Sequence, residues 1–268
     1  MPSTYAHYRM GCEVVERLCG LEEKIVLEYR ELFDIGLHGP DILFYYGALS
    51  SNSVNAVGYD LHEKSGAFYF ENAREQIRNS ENGKASRAYV YGVLCHFALD
   101  VTCHPYVEEK TSEGLVSHSE IEVEFDRMLM IEDGLNPVKQ VLTKHIHPKE
   151  KWAKVIAPFY PGVSSKQVNQ SLKSMIFLNK VLLAKNPLKR NMIYSVLRLT
   201  GNYEGMHGMI VNEEGNPDCI DSNKKLYTLY NQAIPLAERM IFKFEEYLNG
   251  EKELDSIFDF NFEGEKVQ

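Results

Sequence analysis

Apolar residues recur every three or four positions along almost the whole chain, whereas the alternating pattern typical of β-strands is nearly absent. The C-terminal part is the most regular, with an apolar run between candidate N-caps at Ser222 or Asn223 and a glycine stop at Gly250. Pro235 lies inside that run and predicts a kink. The periodicity therefore predicts an all-α fold. Its further helices are expected near residues 8–19, 22–33, 59–77, 86–103, 119–130, 149–157, 167–185 and 188–200.

The 268 residues contain no repeat, low-complexity tract or linker. A chain of this length can bury about 70–75% of the surface that its unfolded form exposes, which is enough for one substantial core. Residues 201–222 are rich in glycine and acidic side chains and are predicted to form a long loop that could cover a site. We predict one multi-helix domain over residues 1–250, followed by an acidic tail over residues 251–268.

The balance of 29 basic and 38 acidic residues gives a net charge of −9, so the chain as a whole repels nucleic-acid phosphates and anionic bilayers. Stable nucleic-acid binding is therefore not expected. Five scattered cysteines match neither a disulfide framework nor a Cys-only zinc spacing, which favours a reducing compartment. The opening residues do not read as a signal peptide, and the apolar-rich stretch over 88–99 is too short to span a bilayer. We expect a cytoplasmic protein without a transmembrane segment.

One predicted helix carries His96, Asp100 and His104 at successive four-residue steps. Four residues advance about 6 Å along a helix and turn it by about 400°, so the three side chains share one face within about 80°. A second pair with the same spacing, His118 and Glu122, follows at the start of another predicted helix. Imidazole and carboxylate groups are zinc ligands, and facing helices can build a metal site in the core of a bundle.

An isolated His-x-x-x-Asp pair on a helix is usually no more than a polar contact. Here the pattern is repeated and lies in apolar sequence, including Val93, Leu94 and Phe97, that should face a core. Several polar groups would be buried there without partners, which costs free energy unless something satisfies them. A bound metal ion is the hypothesis that satisfies all of them together.

In their order along the chain, these motifs resemble the zinc-dependent phospholipase C family, which is related in fold to the single-strand-specific zinc nucleases. The similarity covers roughly the first 135 residues. His96-Phe-Ala-Leu-Asp100 resembles the family's His-x3-Asp helix, and His118-Ser-x-x-Glu122 resembles its His-Ser-x-x-Glu helix. Three upstream elements complete the match: Gly39-Pro40-Asp41, His62 in Asp60-Leu61-His62, and His7 in the first helix.

The resemblance implies a multi-helix bundle of the phospholipase C and P1 nuclease type that holds two or three zinc ions. One zinc would take Asp41, His62, His96 and Asp100. A second would take His104, His118 and Glu122. A third would take His7, Asp100 as a bridge, and the N-terminal amine and carbonyl.

The chain departs from the family pattern in three places. It begins at Met1 where secreted members begin with a tryptophan, and removal of Met1 would leave an amine five residues before His7. Only three residues separate Asp100 from His104 where five are typical, and Pro105 disfavours an α-conformation at His104. We expect no membrane-docking module of the kind that toxin-type relatives carry, since 18 residues of this sequence follow Gly250.

Two further histidines are candidate substrate-binding residues. His38 lies three residues before Asp41 and could orient its carboxylate, although a polar loop histidine is the alternative. His207 lies in the glycine-rich segment and could face a substrate. His145 and His147 lie in a Lys-rich turn and are predicted to be solvated.

The resemblance implies a metal-dependent hydrolase of phosphoric esters in which zinc activates water for attack on a phosphodiester, with a phospholipid as a possible substrate. Asp41 is the candidate catalytic residue, a ligand that also accepts a proton from the water. One alternative keeps the metals but takes a soluble phosphodiester, phosphomonoester or nucleotide. The other is a non-catalytic helical protein whose metal positions are all closed by protein ligands.

Overall fold

A computed structural model describes residues 4–201, 203 and 207–267 of the chain. The described part consists of α-helices, short 3₁₀ turns and connections, with one isolated β-bridge between Phe260 and Lys266, so the predicted all-α fold is confirmed. The helices are α1 (Thr4–Val15), α2 (Gly20–Glu28), α3 (Arg30–Gly36), α4 (Ser53–Glu63), α5 (Gly66–Asn79), α6 (Gly83–Ser112), α7 (His118–Glu132), α8 (Glu150–Ile156), α9 (Ser165–Leu182), α10 (Pro187–Leu199) and α11 (Ile220–Asn249).

Helix α6 is the centre of the molecule. Its residues from Ala88 to Asp100 are all buried, so this part of the helix is covered on every side. A helix surrounded in this way must be apolar around its circumference, which explains why α6 lacks the one-sided pattern of the surface helices. Helices α3 and α11 pack along it, with α1, α5 and α7 around them. None of the described helices is long and apolar enough to cross a membrane.

Helices α3 and α6 approach so closely that only glycine fits where they cross. A Cβ atom on Gly92 would lie 2.8 Å from the backbone of Gly36 and still closer to the Phe33 carbonyl oxygen. A Cβ atom on Gly36 would in turn lie 3.0 Å from Gly92 Cα. Because Gly36 and Gly92 have no side chains, α3 and α6 can pack this closely. Helix α6 carries the central candidate ligands.

Two predicted helices are interrupted. The predicted helix over 22–33 breaks at Tyr29 into α2 and α3, and the one over 59–77 breaks where the Ser65 side chain caps a new helix by accepting from the Phe68 N–H. Ser65 is a favoured capping residue, and an apolar pattern that runs across such a break does not reveal it. The segment predicted as a long loop contains two 3₁₀ turns, His207–Met209 and Pro217–Cys219.

Helix α6 continues through Pro105 to Ser112, so the predicted departure from helix around His104 is wrong. Proline cannot donate the hydrogen bond that the Val101 carbonyl would otherwise accept. Gly264 of the C-terminal segment packs on this place: a Cβ atom there would lie 2.6 Å from the Pro105 ring and 3.0 Å from the Val101 oxygen. The C-terminal segment thus packs on α6 at the position where the helix was expected to end.

The segment after Gly250 packs onto the helices. Phe258 and Phe262 are buried in the core beside Phe70 and Phe97. Gly66 N–H donates to the Phe260 carbonyl, which ties this segment to the start of α5. The aromatic rings therefore bring the segment 251–267 against α6, next to the candidate ligands.

Candidate metal centre

The eight side chains proposed as metal ligands lie together in the interior, although they come from five separate elements. They form three groups, and within each group one ligand atom per residue lies within 4.8 Å of the others. The groups are His7, His96 and Asp100; Asp41, His62 and His96; and His104, His118 and Glu122. His96 belongs to two groups, so the first two share a side chain.

Asp100 links the groups. Its Oδ2 lies 3.0 Å from His96 Nε2, while its Oδ1 lies 3.3 Å from His7 Nε2 and 3.8 Å from His104 Nε2. The three residues on α6 face one side, as their four-residue spacing requires. One carboxylate therefore contacts imidazoles on both sides, which is the geometry of a bridging ligand.

The second group forms where the 3₁₀ turn Gly39–Tyr45 meets the end of α4. Asp41 Oδ1 lies 2.9 Å from His62 Nε2 and 3.9 Å from His96 Nε2. His62 Nδ1 is 2.8 Å from the carbonyl oxygen of Gly58, one turn earlier, and must donate to it because a carbonyl only accepts. The ring is thus held with Nε2 directed at Asp41.

In the third group, two histidines are held through Nδ1 in the same way as His62. His104 Nδ1 donates to the Phe262 carbonyl at 2.7 Å, and His118 Nδ1 lies 2.7 Å from Glu108 Oε1. The Nε2 atoms of these rings lie 3.5 Å and 3.4 Å from Glu122 Oε1. A histidine whose second ring nitrogen is held by a carbonyl or carboxylate is typical of metal sites, since that bond fixes tautomer and orientation.

Capping interactions position the helices that carry these groups. Ser117 caps α7, accepting from the Glu120 N–H, so that His118 is the first helical residue and Glu122 lies one turn later on the same face. The Asp126 carboxylate accepts the backbone N–H groups of Tyr5 and Ala6 at 2.9 and 2.8 Å, next to His7. A carboxylate at the N-terminal end of α1 is favoured by the helix dipole and joins α1 to α7.

The charges of the three groups compensate one another. Burial alone would raise the pKa of the Asp100 and Glu122 carboxyls, but the neighbouring imidazoles hold both pKa values well below their ordinary range. Burial would lower the pKa of His104, but the Asp100 and Glu122 carboxylates outweigh it and raise that pKa to about 10. The pKa of His7 is lowered, because burial and His96 both oppose a positive charge there.

The donor set fits zinc. Among the described residues, His7 Nδ1 and both ring nitrogens of His96 are buried and make no hydrogen bond, because the approach of Asp100 Oδ2 to His96 Nε2 lacks hydrogen-bond geometry. A buried polar atom without a partner costs free energy, and for His96 Nε2 a metal ion would supply one. A cavity of about 20 Å³ beside Asp100, His104 and Glu122 has room for about one water-sized particle. Five imidazoles and three carboxylates are ligands that Zn²⁺ accepts.

The remaining histidines lie as follows. His38 is buried and its Nε2 is 2.7 Å from the Nε2 of His145, while its backbone carbonyl accepts from the Asp41 N–H. The prediction that His145 is solvated is wrong, because Tyr8 stacks on its ring at 3.9 Å and buries it. His147 is exposed, as predicted. The roles of His38 and His207 in substrate binding stay predictions.

His207 lies in a turn that packs against the start of α7, the helix that carries His118 and Glu122. It begins the turn His207–Met209, and Gly208 in that turn packs against Ser117 and Glu120 at the start of α7. His118, one residue on from Ser117, is the most exposed of the eight side chains, with 31% of its surface accessible. The N-terminal amine predicted as a ligand of the third zinc lies outside the described residues.

Three features that position the candidate ligands were not predicted from the sequence, and two of them had no local signal. The Phe262 carbonyl and the Asp126 carboxylate act across 158 and 120 or more residues of sequence. Gly39 has φ of +46°, and a Cβ atom there would overlap the His96 ring, 2.8 Å from Nε2. Only this last residue had a local signal, as the glycine before Pro40 and Asp41.

Comparison with known proteins agrees with this geometry. No curated protein and no solved structure matches the chain. A family model described as zinc-dependent phospholipase C matches residues 6–170, more than half of the chain, and this range includes all eight clustered side chains. The resemblance drawn from the motifs is thereby confirmed, and the chain belongs to the zinc-dependent phospholipase C family.

Proposed function

We propose that the chain hydrolyses phosphoric esters with two or three zinc ions held by the eight clustered side chains, and that its substrate is a phospholipid. The observation that carries the proposal is the linked arrangement of the three groups, in which Asp100 contacts at least one imidazole of each group and His96 belongs to two groups. Metal ions held by such linked groups would share protein ligands, and bound metal would supply the Lewis-acid chemistry of two-metal hydrolysis of phosphoric esters.

Each group supplies at least one carboxylate and one imidazole to its ion. We assign His104, His118 and Glu122 to one zinc, Asp41, His62, His96 and Asp100 to another, and His7 with Asp100 as a bridge to a third. Bound zinc would polarise the phosphoryl oxygen and lower the pKa of a water molecule to about 7. Bound zinc ions would outweigh the three carboxylate ligands and leave local positive charge, which would favour a phosphate in a chain whose net charge is −9.

The chain's own residues orient and protect this chemistry. The Gly58 and Phe262 carbonyls and the Glu108 carboxylate hold the rings of His62, His104 and His118 with Nε2 toward the site. Asp41 is ionised, because the His62 imidazole and other positive charge outweigh burial and lower its pKa. We assign Asp41 the role of accepting the proton that the attacking water releases.

Hydrolysis assays distinguish a lipid from a soluble substrate. The purified chain is incubated with phosphatidylcholine vesicles, with mono- and bis-(p-nitrophenyl) phosphate and with single-stranded DNA, each with zinc and after chelation. Zinc-dependent release of phosphocholine supports the proposal. Zinc-dependent cleavage of the p-nitrophenyl esters or DNA without release of phosphocholine would favour the soluble phosphodiesterase or nuclease alternative.

His118→Ala distinguishes an enzyme from a protein that binds zinc only for stability. His118 is the most exposed of the eight side chains, so its removal should leave the melting temperature within about 2–4 °C of wild type while hydrolysis falls at least about 100-fold. His147→Ala, at an exposed histidine outside the groups, is the control. A large loss of stability in His118→Ala with no zinc-dependent hydrolysis in wild type would support the structural role.

The cytoplasmic location stays a prediction from sequence.

A further inference from the structure

Helix α10 presents an apolar stripe to solvent. Leu188, Met192, Val196 and Leu199 are 82%, 60%, 53% and 88% exposed. Their spacing of four, four and three residues places them within about 80° of one another on the helix circumference. Large apolar side chains that are exposed together on one face mark an interaction surface.

The opposite face of α10 holds the helix on the protein. Ile193 and Leu197 are buried there in a small cluster with Ala184 and Ile210, separate from the main core. On α9, Phe177 is 65% exposed and Val181 follows four residues later on the same face. Helix α10 therefore has two apolar faces, and the rest of the described chain covers only one of them.

The charge of this region is opposite to that of the chain. Residues 151–203 contain nine lysines and arginines and no aspartate or glutamate, which leaves 20 basic against 38 acidic residues for the rest. Seven of the nine are exposed: Lys151, Lys154, Lys166, Lys173, Lys180, Lys185 and Arg198. Although the whole chain has a net charge of −9, the segment 151–203 has a net charge of +9, and this segment includes both α9 and α10.

A series of contacts connects the C-terminal end of α10 to the start of α7, which carries His118. The Arg198 guanidinium lies over the Tyr203 ring at 4.3 Å, and Tyr203 stacks on His207 at 4.8 Å. The next residue, Gly208, packs against Ser117, which precedes His118. A surface that binds along α10 would thus lie near the most exposed candidate ligand.

We infer that the exposed face of α10, together with the exposed cations of the segment 151–203 that contains it, docks on a membrane of anionic phospholipids. Apolar side chains flanked by lysine and arginine are typical of helices that lie in the plane of a bilayer surface, where burial and attraction to anionic headgroups add. A symmetric pair of chains would instead place two positive segments face to face. Bilayer docking would present the proposed lipid substrate, and to that extent the inference rests on the proposed function.

Vesicle sedimentation tests the inference. The full chain is mixed with vesicles of phosphatidylcholine alone or with about 30% phosphatidylserine, and the bound fraction is measured at low and high salt. We expect binding to the anionic vesicles that weakens as salt rises. Leu188→Ser/Leu199→Ser, which removes two stripe side chains without changing charge, should weaken binding about tenfold or more.

The matched control is Leu27→Ser/Leu49→Ser, which removes two leucines that are 58% and 73% exposed outside residues 151–203. It should bind like wild type. Equal binding by both double variants, or absence of wild-type binding to the anionic vesicles, would overturn the inference. A dimer in light scattering that only Leu188→Ser/Leu199→Ser abolishes would also overturn it, in favour of a second copy on the stripe.

Hydrolysis of a soluble ester separates this inference from the proposed function. Both double variants should cleave bis-(p-nitrophenyl) phosphate as wild type does, since neither change lies among the eight clustered side chains. Vesicle binding without any zinc-dependent hydrolysis would reject the proposed function and support the docking surface. Hydrolysis without vesicle binding would do the reverse.

Discussion

The orientation of single rings determines what the candidate metal centre can do. Three of its five imidazoles are held through Nδ1 by an oxygen outside the three groups, so that Nε2 faces a carboxylate of the site. His96 differs, because neither of its ring nitrogens has a hydrogen-bond partner among the described residues. Its position depends on packing, with His7 stacked on one side at 4.4 Å and Gly39 leaving room on another.

Gly39→Ala tests that dependence. The new methyl group would occupy the place of the His96 ring, and an L-residue is strained at φ +46°. We expect the chain to lose at least one zinc ion and its hydrolysis to fall about 100-fold, measured by metal analysis and ester cleavage. Gly134→Ala is the control, because Gly134 has φ +70° but a methyl group there would meet nothing within 4 Å. Full zinc content in Gly39→Ala would contradict the assignment of His96.

The burial of His145 predicts that the free energy of unfolding depends on pH. Burial and nearby positive charge lower its pKa to about 3 in the folded chain, against about 6.5 when unfolded. Between these values the unfolded state binds the extra proton, so the stabilising contribution is complete above pH 6.5 and is lost as the pH falls toward 3.

His145→Gln should remove that loss. Between pH 7.5 and 5, the free energy of unfolding should fall by about 2 kcal/mol more in wild type than in His145→Gln, measured by urea denaturation. His147→Gln, at the exposed neighbour, should follow wild type. Parallel pH profiles for all three proteins would show that His145 is not buried in its neutral form.

Among the helices, α6 contributes most to positioning the candidate metal centre, because it carries three candidate ligands and contacts most other helices. Its distance from α3 is set at Gly36 and Gly92, where the two backbones touch. That contact lies one turn before His96, and α3 leads directly into the turn that carries Asp41. The crossing therefore determines how far apart two of the candidate ligands lie.

Gly92→Ala should destabilise the fold although alanine favours helix formation. The intrinsic gain is about 1 kcal/mol, whereas forcing a methyl group against the Phe33 carbonyl and the Gly36 backbone costs more. We expect a net loss of about 2–3 kcal/mol in urea denaturation. Gly83→Ala, at the start of the same helix with the nearest atom 3.7 Å away, should be neutral or stabilising. Equal stability of the two variants would show that α3 and α6 can move apart freely.

For the molecule as a whole, the metal centre is a link between distant parts of the chain. It gathers side chains from α1, the turn Gly39–Tyr45, α4, α6 and α7, and the segment after Gly250 orients one of them. A ligand that binds only the folded state stabilises it by an amount that grows with its free concentration. Zinc should therefore act on the global stability of the chain as well as on its chemistry.

Removal of zinc should lower the melting temperature by at least about 5 °C, and added zinc should restore it. The shift should be smaller at pH 5.5 than at pH 7.5, because His104, with its pKa raised to about 10, holds a proton that zinc must displace. Calorimetry with and without a chelator measures both effects. A melting temperature that does not respond to zinc at either pH would contradict the proposed ligand set.

The helical class and the face shared by His96, Asp100 and His104 followed from sequence alone, since helix geometry relates residues a few positions apart. The wider ligand set followed from the resemblance of the ordered motifs to a known family. The burial of His145, the continuation of α6 through Pro105 and the bond from His104 to the Phe262 carbonyl did not. Likewise, the basic segment could be counted from sequence, but its exposed apolar stripe could not. The physical reason is distance along the chain: local spacing fixes which way a side chain leaves its own helix, whereas its partners are decided by the packing of whole elements.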